Sequence, residues 1–176
     1  MHGLWARSCQ FGERGGCERH AEGWRNEDAL LLQAASAPRP DYADVNPFAL
    51  PEPLAPELAA ASANVTITLE PIRSAFARLR AQADCVVVEG VGGWLAPLAD
   101  GLEQADLARA LDLPVVLVVG LRLGCLNHAR LTARAVHADG CRLVGWIGNR
   151  VEAPGPHAAA YLDLLRDALP GPCLGV

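Results

Sequence analysis

Cys85-Val86-Val87-Val88-Glu89-Gly90-Val91-Gly92-Gly93-Trp94 is an apolar run that ends in one carboxylate and a glycine turn. The run is apolar at every position instead of at alternate ones, which predicts a strand covered on both faces, as in a parallel sheet. Two further runs, 114–120 and 143–148, share this character. Segments with helical spacing lie between and after them, over 103–111, 127–138 and 157–169. Strand and helix in alternation imply right-handed crossovers. The expected fold is α/β, a parallel sheet flanked by helices.

Upstream of these runs, Pro71 is expected to open a helix over 71–82, and Asn26 to cap one over 27–35. The proline-rich stretch 37–56 predicts an ordered loop wrapped over the domain. Residues 1–15, rich in Gly, Arg and Cys without either period, are expected to be irregular and disordered, which leaves a single domain over 16–176. At 176 residues and 51% hydrophobic, the chain suits one domain with a sizeable core.

A net charge of -5 with no block of like charge leaves no electrostatic footprint for nucleic acid or an anionic membrane. Small molecules or protein are the expected partners. The first residues lack the apolar core of a leader, and the apolar run 115–121 is too short to span a bilayer, so a cytoplasmic location is expected. The Asn64-Val65-Thr66 sequon is then chance. Six scattered cysteines fit free thiols in a reducing compartment. Cys17 with His20 and Cys125 with His128 match C-x-x-H, but neither has the second pair that a tetrahedral zinc site needs.

In a parallel sheet, ligands sit beyond the carboxyl ends of the strands. Glu89 occupies such an end, where its carboxylate could reach Mg²⁺ while Gly90, Gly92 and Gly93 let backbone amides approach phosphate. An apolar strand ending in an acid resembles the second phosphate-site motif of P-loop nucleotidases; it is equally a plain structural turn. The second run leads through Gly124-Cys125-Leu126-Asn127-His128 into a helix start whose amides could hold a carboxylate. The third ends in Gly148-Asn149-Arg150, where an amide side chain could read a base edge. Asp28 is either a metal ligand or a first-turn acid suited to the helix dipole. Tyr161 is either a substrate contact or rim packing, His128 a helix-start residue, and Trp94 and Trp146 core.

Val-Glu-Gly-Val-Gly-Gly-Trp at 88–94, the run 113–129 through Gly-Leu-Arg-Leu-Gly-Cys-Leu-Asn-His-Ala, and Gly-Trp-Ile-Gly-Asn at 145–149 together resemble successive signatures of dethiobiotin synthase. Gly23-Trp24-Arg25-Asn26-Glu27-Asp28-Ala29 and Asp41-Tyr42-Ala43-Asp44-Val45-Asn46-Pro47-Phe48 also resemble that family, so the similarity runs from about 16 to 175. It implies a P-loop-nucleotidase-like fold and a cytosolic homodimer of biotin biosynthesis. Such an enzyme closes a ureido ring from 7,8-diaminopelargonic acid, CO₂ and ATP. By the same resemblance Asp28 and Glu89 ligate Mg²⁺, and Gly90, Val91 and Gly92 lie along the nucleotide. Asn149 faces adenine with Arg150 beside it, and Pro172, Cys173 and Leu174 form the purine-side loop. Gly124, Cys125, Leu126 and Asn127, with Tyr161, hold the substrate carboxylate across a dimer interface.

The family's phosphate loop ending in Gly-Lys-Thr, and the Lys-Pro-Val-Ala-Ser-Gly-like segment after it, have no counterpart here. All fifteen basic residues are arginine. No catalytic residue carries over, and the fold is expected to be incomplete at the N-terminus, with strand edges unpaired and apolar surface exposed. Gly16-Cys17 aligns with the end of that segment and 1–15 aligns with nothing, which points to a displaced start or a shifted frame. Two other readings remain open: a related domain for another ATP-dependent ligation or amidation, and a non-catalytic remnant.

Overall fold

A computed structural model describes residues 17–21, 23–153 and 155–176, and the backbone of 3–7. The chain divides into two compact units, Met1–Ala110 and Leu111–Val176, where the sequence suggested one domain over 16–176.

In the first unit, strands β1 (Gly3–Arg7) and β4 (Cys85–Glu89) form a parallel ladder that runs from Gly3 opposite Cys85 to Arg7 opposite Glu89. Residues 3–7 therefore correct the expectation of an irregular segment. A ladder draws on backbone N–H and C=O groups, so a segment without apolar alternation can still complete β4. Residues 1, 2 and 8–16 lie outside the described residues.

A short antiparallel pair, β2 (Glu18–His20) and β3 (Gly23–Arg25), leads to α1 (Glu27–Ala35). Asn26 caps α1 as expected, in extended conformation, its side-chain oxygen accepting from the Ala29 N–H at 3.1 Å. The proline-rich stretch contains α2 (Tyr42–Val45), whose Tyr42 and Val45 bury against Ala29 of α1.

After α3 (Pro56–Ser62), helix α4 spans Leu69–Arg80. Pro71 is thus its third residue and not its first. The first-turn N–H groups of a helix have no intrahelical partner, so proline costs no bond there either. Leu79 of α4 is fully buried beside Val86 and Val88 of β4. Arg78 meets Asp44 of α2 through Nε at 2.8 Å and Nη2 at 2.6 Å, tying α2 to α4. That hydrogen bond raises the guanidinium above its ordinary pKa. Strands β5 (Pro97–Ala99) and β6 (Leu102–Glu103) pair before α5 (Gln104–Leu111).

The second unit is a parallel sheet of β7 (Val115–Gly120), β8 (Leu143–Asn149) and β9 (Cys173–Gly175), in that order, with helices α6 (Cys125–Ala138) and α7 (Ala158–Ala168). Observed helix ends fall within two residues of those expected. Cys125, Ala129, Ala133 and Val136 place the buried stripe of α6 at helical intervals. The first three join Val119, Leu165, Leu169 and the fully buried Trp146 in one core.

Leu117 pairs with Trp146 on the side that packs into this core, whereas Val118 pairs with Ile147 on the other side. Val118 is 58% and Ile147 37% exposed, which corrects the expectation that both faces of these strands are covered. Side chains alternate across a strand, and the core that contains α6 and α7 residues takes only the Leu117 and Trp146 side. Cys173 and Leu174, expected in a loop, lie in β9. Among the described residues no helix is long and apolar enough to cross a membrane.

Candidate functional site

Glu89 ends β4 with its side chain exposed, and the glycine turn begins directly after it. A Cβ at Gly90 would lie 2.8 Å from Cδ of Gln104, so only glycine fits unless Gln104 moves. The same Gln104 accepts the Val91 N–H through Oε1 at 3.2 Å, and Val91 is 6% exposed. Gly93 N–H closes the turn on the Val91 carbonyl. The Val91 amide, expected along the nucleotide, is thus engaged within the protein, while a Cβ at Gly92 would meet nothing within 4 Å. The open side of the turn lies at Gly92. Gln104 was not apparent from sequence, since nothing local marks a glutamine thirteen residues from Val91 as its partner.

Asp28 is the second residue of α1 and is half-buried. The backbone that carries it is held from α2: Tyr42 Oη accepts the Asn26 N–H at 2.8 Å and Asn46 Nδ2 at 3.2 Å. Tyr42, Asn26 and Asn46 are all buried. The Arg25 guanidinium lies over the Tyr42 ring, 4.1 Å from its centroid. An open cavity of about 910 Å³ beside this network is lined by His20, Arg25, Gln33, Arg39, Asp41 and Tyr42 among others; neither Asp28 nor Glu89 lines it.

Among the described residues no three His, Cys, Asp or Glu side chains converge on a metal position. Asp28 and Glu89 are nonetheless the hard oxygen donors that suit Mg²⁺, which is held through one or two carboxylates with substrate phosphates and water completing its shell.

In the second unit, Gly124 caps α6 with a left-handed backbone, φ 93°. The Cys125 N–H turns back to the Arg122 carbonyl at 3.0 Å and His128 N–H to Gly124 at 3.2 Å. Between them the Leu126 and Asn127 amides are first-turn donors with no intrahelical acceptor. Cys125 is 4% exposed in the Trp146 core, so its thiol faces inward and the turn presents backbone amides and the exposed Asn127 side chain. Leu126 and Tyr161 both pack against that same core, so the expected carboxylate-holding group shares one support.

Asn149 ends β8 level with Gly120 of β7, its carbonyl accepting Leu121 N–H at 2.7 Å and Val151 N–H at 3.1 Å. The Asn149 and Arg150 side chains are exposed. Pro172 accepts the Trp146 N–H at 3.1 Å, and Leu174 lies 2.9 Å from a Cβ built at Gly145. With Cys173 opposite Trp146, this segment sits three positions behind Asn149, roughly 10 Å along the strand. The structure joins 172–174 to the Gly145–Trp146 stretch.

Parallel strands accompanied by helices in each unit suit an α/β class of protein, and the family model described as "AAA domain" matches residues 18–175. Curated relatives narrow the class. The chain is 64% identical over 160 residues to ATP-dependent dethiobiotin synthetase BioD of Xanthomonas oryzae pv. oryzae, covering 91% of this chain and 71% of the relative. It is 60% identical over 160 residues to the protein of that name from Xanthomonas campestris pv. campestris, and 60% over 163 residues to that from Xylella fastidiosa, each with the same shares. The chain belongs to the dethiobiotin synthetase family, whose members are ATP-dependent ligases.

Proposed function

We propose that the chain serves the ATP- and Mg²⁺-dependent closure of a ureido ring on 7,8-diaminopelargonic acid with CO₂, in biotin biosynthesis. The observation that carries this reading beyond family membership is the Gly124–Asn127 turn. Two first-turn amides and an exposed amide side chain, with a tyrosine packed on the same core, suit a carboxylate at the end of an aliphatic substrate.

The chemistry is phosphoryl transfer followed by ring closure. One substrate amine adds to CO₂ and loses a proton, giving a carbamate. A carbamate oxygen attacks the γ-phosphorus of ATP and ADP departs, leaving a carbamic–phosphoric anhydride. The second amine attacks its carbonyl carbon, phosphate leaves with the bonding pair, and a proton is released. The protein's contribution is placement of charge and of the two amines. Asp28 and Glu89 would hold Mg²⁺, which offsets phosphate charge when bound. On the same reading the nucleotide contacts are Gly90, Val91 and Gly92 in the first unit and Asn149, Arg150, Pro172, Cys173 and Leu174 in the second. The carboxylate group of residues, Gly124–Asn127 and Tyr161, serves a partner's substrate in a homodimer, and the compartment is the cytoplasm.

A second reading has its own observation. The 176 residues contain no lysine and no Gly-Lys-Thr loop, so the ammonium and backbone cradle of the transferring phosphate are missing. Such a chain would bind substrate without turning it over. Purified protein with diaminopelargonate, bicarbonate, Mg²⁺ and ATP separates the readings. Dethiobiotin above the protein-free background supports the synthase. Diaminopelargonate binding by calorimetry with no product supports the remnant, and neither binding nor product would refute both.

A further inference from the structure

We propose that Tyr42 is a positioning residue for Asp28, acting through the first turn of α1; the proposal rests on the reading of Asp28 as a Mg²⁺ ligand. Asn26 does two jobs at the start of that helix. Its side chain caps Ala29 N–H at 3.1 Å, and its own N–H is held by Tyr42 Oη at 2.8 Å. The Tyr42 oxygen also accepts Asn46 Nδ2 at 3.2 Å, so both of its lone pairs are used. One phenolic oxygen therefore fixes two buried donors, and Asp28 stands two residues along the chain from the first of them.

Packing alone does not require a hydroxyl here. Tyr42 is 8% exposed, and a phenylalanine ring would fill the same space and lie under the same Arg25 guanidinium. A buried hydroxyl is costly unless paired, so its presence points to what it pairs with. Tyr42 is itself well anchored: two residues on, Asp44 holds Arg78 of α4. Displacement at Asn26 passes directly to Asp28, because a helical first turn moves as a unit. Mg²⁺ demands near-ideal octahedral geometry at about 2.0–2.1 Å, so a shift of about 0.5 Å in a ligand is felt in affinity.

The test is a double-mutant cycle on the full chain with Tyr42→Phe, Asp28→Asn and both together. Mn²⁺ binding is followed by electron paramagnetic resonance of the free ion in the presence of ATP. Asp28→Asn is expected to weaken Mn²⁺ binding by at least about 10-fold. Tyr42→Phe should weaken it by about 10-fold, as loss of a residue supporting a metal ligand does. The double variant should bind no more weakly than Asp28→Asn alone. If Asp28→Asn weakens binding while Tyr42→Phe leaves it unchanged, the Tyr42 proposal falls and the Asp28 reading stands. If Asp28→Asn has no effect, or wild-type chain binds no Mn²⁺, both fall. Should Tyr42→Phe not fold, exchange of the Asn26 amide in wild-type protein decides. Linkage requires it to slow when Mn²⁺ and ATP are added, and no change overturns the proposal.

Discussion

Replacing Gly90 by alanine would test how the turn after Glu89 is held. The new methyl would fall 2.8 Å from Gln104 Cδ and 2.9 Å from its Nε2. Because the clash is with a side chain, the backbone can stay and Gln104 must move, losing its bond to the Val91 N–H. A lost hydrogen bond costs about 1 kcal/mol, and an off-rotamer glutamine about another 1 kcal/mol. Alanine's smaller unfolded-state entropy returns about 0.5 kcal/mol. The expected destabilisation is therefore about 1.5 kcal/mol, a fall in Tm of roughly 3–6 °C for a chain of this size. Gly92→Ala is the control: its Cβ meets nothing within 4 Å, so it should be neutral or stabilising. In a Gln104→Ala background, Gly90→Ala loses its obstacle and should itself stabilise by about 0.5 kcal/mol, a coupling of about 2 kcal/mol. Urea denaturation at constant m-value measures all five proteins. Gly90→Ala matching Gly92→Ala in wild-type background, or no coupling to Gln104, would refute the reasoning.

Other expectations follow from the same structure. The Glu103 N–H, then Arg109, hold the Asp106 carboxylate below its ordinary pKa of 3.8. A lowered folded pKa gives stability that is present above the ordinary carboxylate range and fades as pH falls through the lower folded value. Wild type should accordingly exceed Asp106→Asn in denaturant midpoint at pH 6 and lose that margin near pH 2, whereas a margin unchanged with pH contradicts this. Val118→Thr, on the exposed side of β7, should slow concentration-dependent light scattering while changing stability by no more than about 0.5 kcal/mol; unaltered scattering would clear that face of blame. Gly124→Ala puts a Cβ on a left-handed backbone in open space, so strain alone should cost about 1–2 kcal/mol and Gly124→Asn less. Equal urea midpoints for the two variants would count against it.

Local chemistry made much of this fold legible in sequence. Asn26 before Glu27 announces its own cap, because the capping oxygen and the amide it serves lie three residues apart. The α6 stripe of Cys125, Ala129 and Ala133 is written in the helical repeat. The run ending at Glu89 likewise marks a strand and its turn from contiguous residues. What stayed hidden depends on partners distant in sequence. Gln104 under Gly90, Asp44 beside Arg78 and Tyr42 on the Asn26 amide are pairings that only the folded chain creates. An apolar run also cannot reveal that side chains on one of its faces are left part-exposed, because Val118 and Leu117 differ only in which way they point. Strand β1 was missed for a further reason: its place is defined by the edge it joins.

That ladder has a consequence for the order of events during synthesis. Gly3 and Cys85 are partners across about eighty residues of chain, whereas Val115 and Leu143 of β7 and β8 are fewer than thirty apart. At ribosomal speeds of about 5–20 residues per second, the segment that becomes β1 waits roughly 4–16 seconds for its partner to be made. Closing so long a loop adds an entropic toll that local pairings escape. In the interval that segment is available to chaperones and proteases.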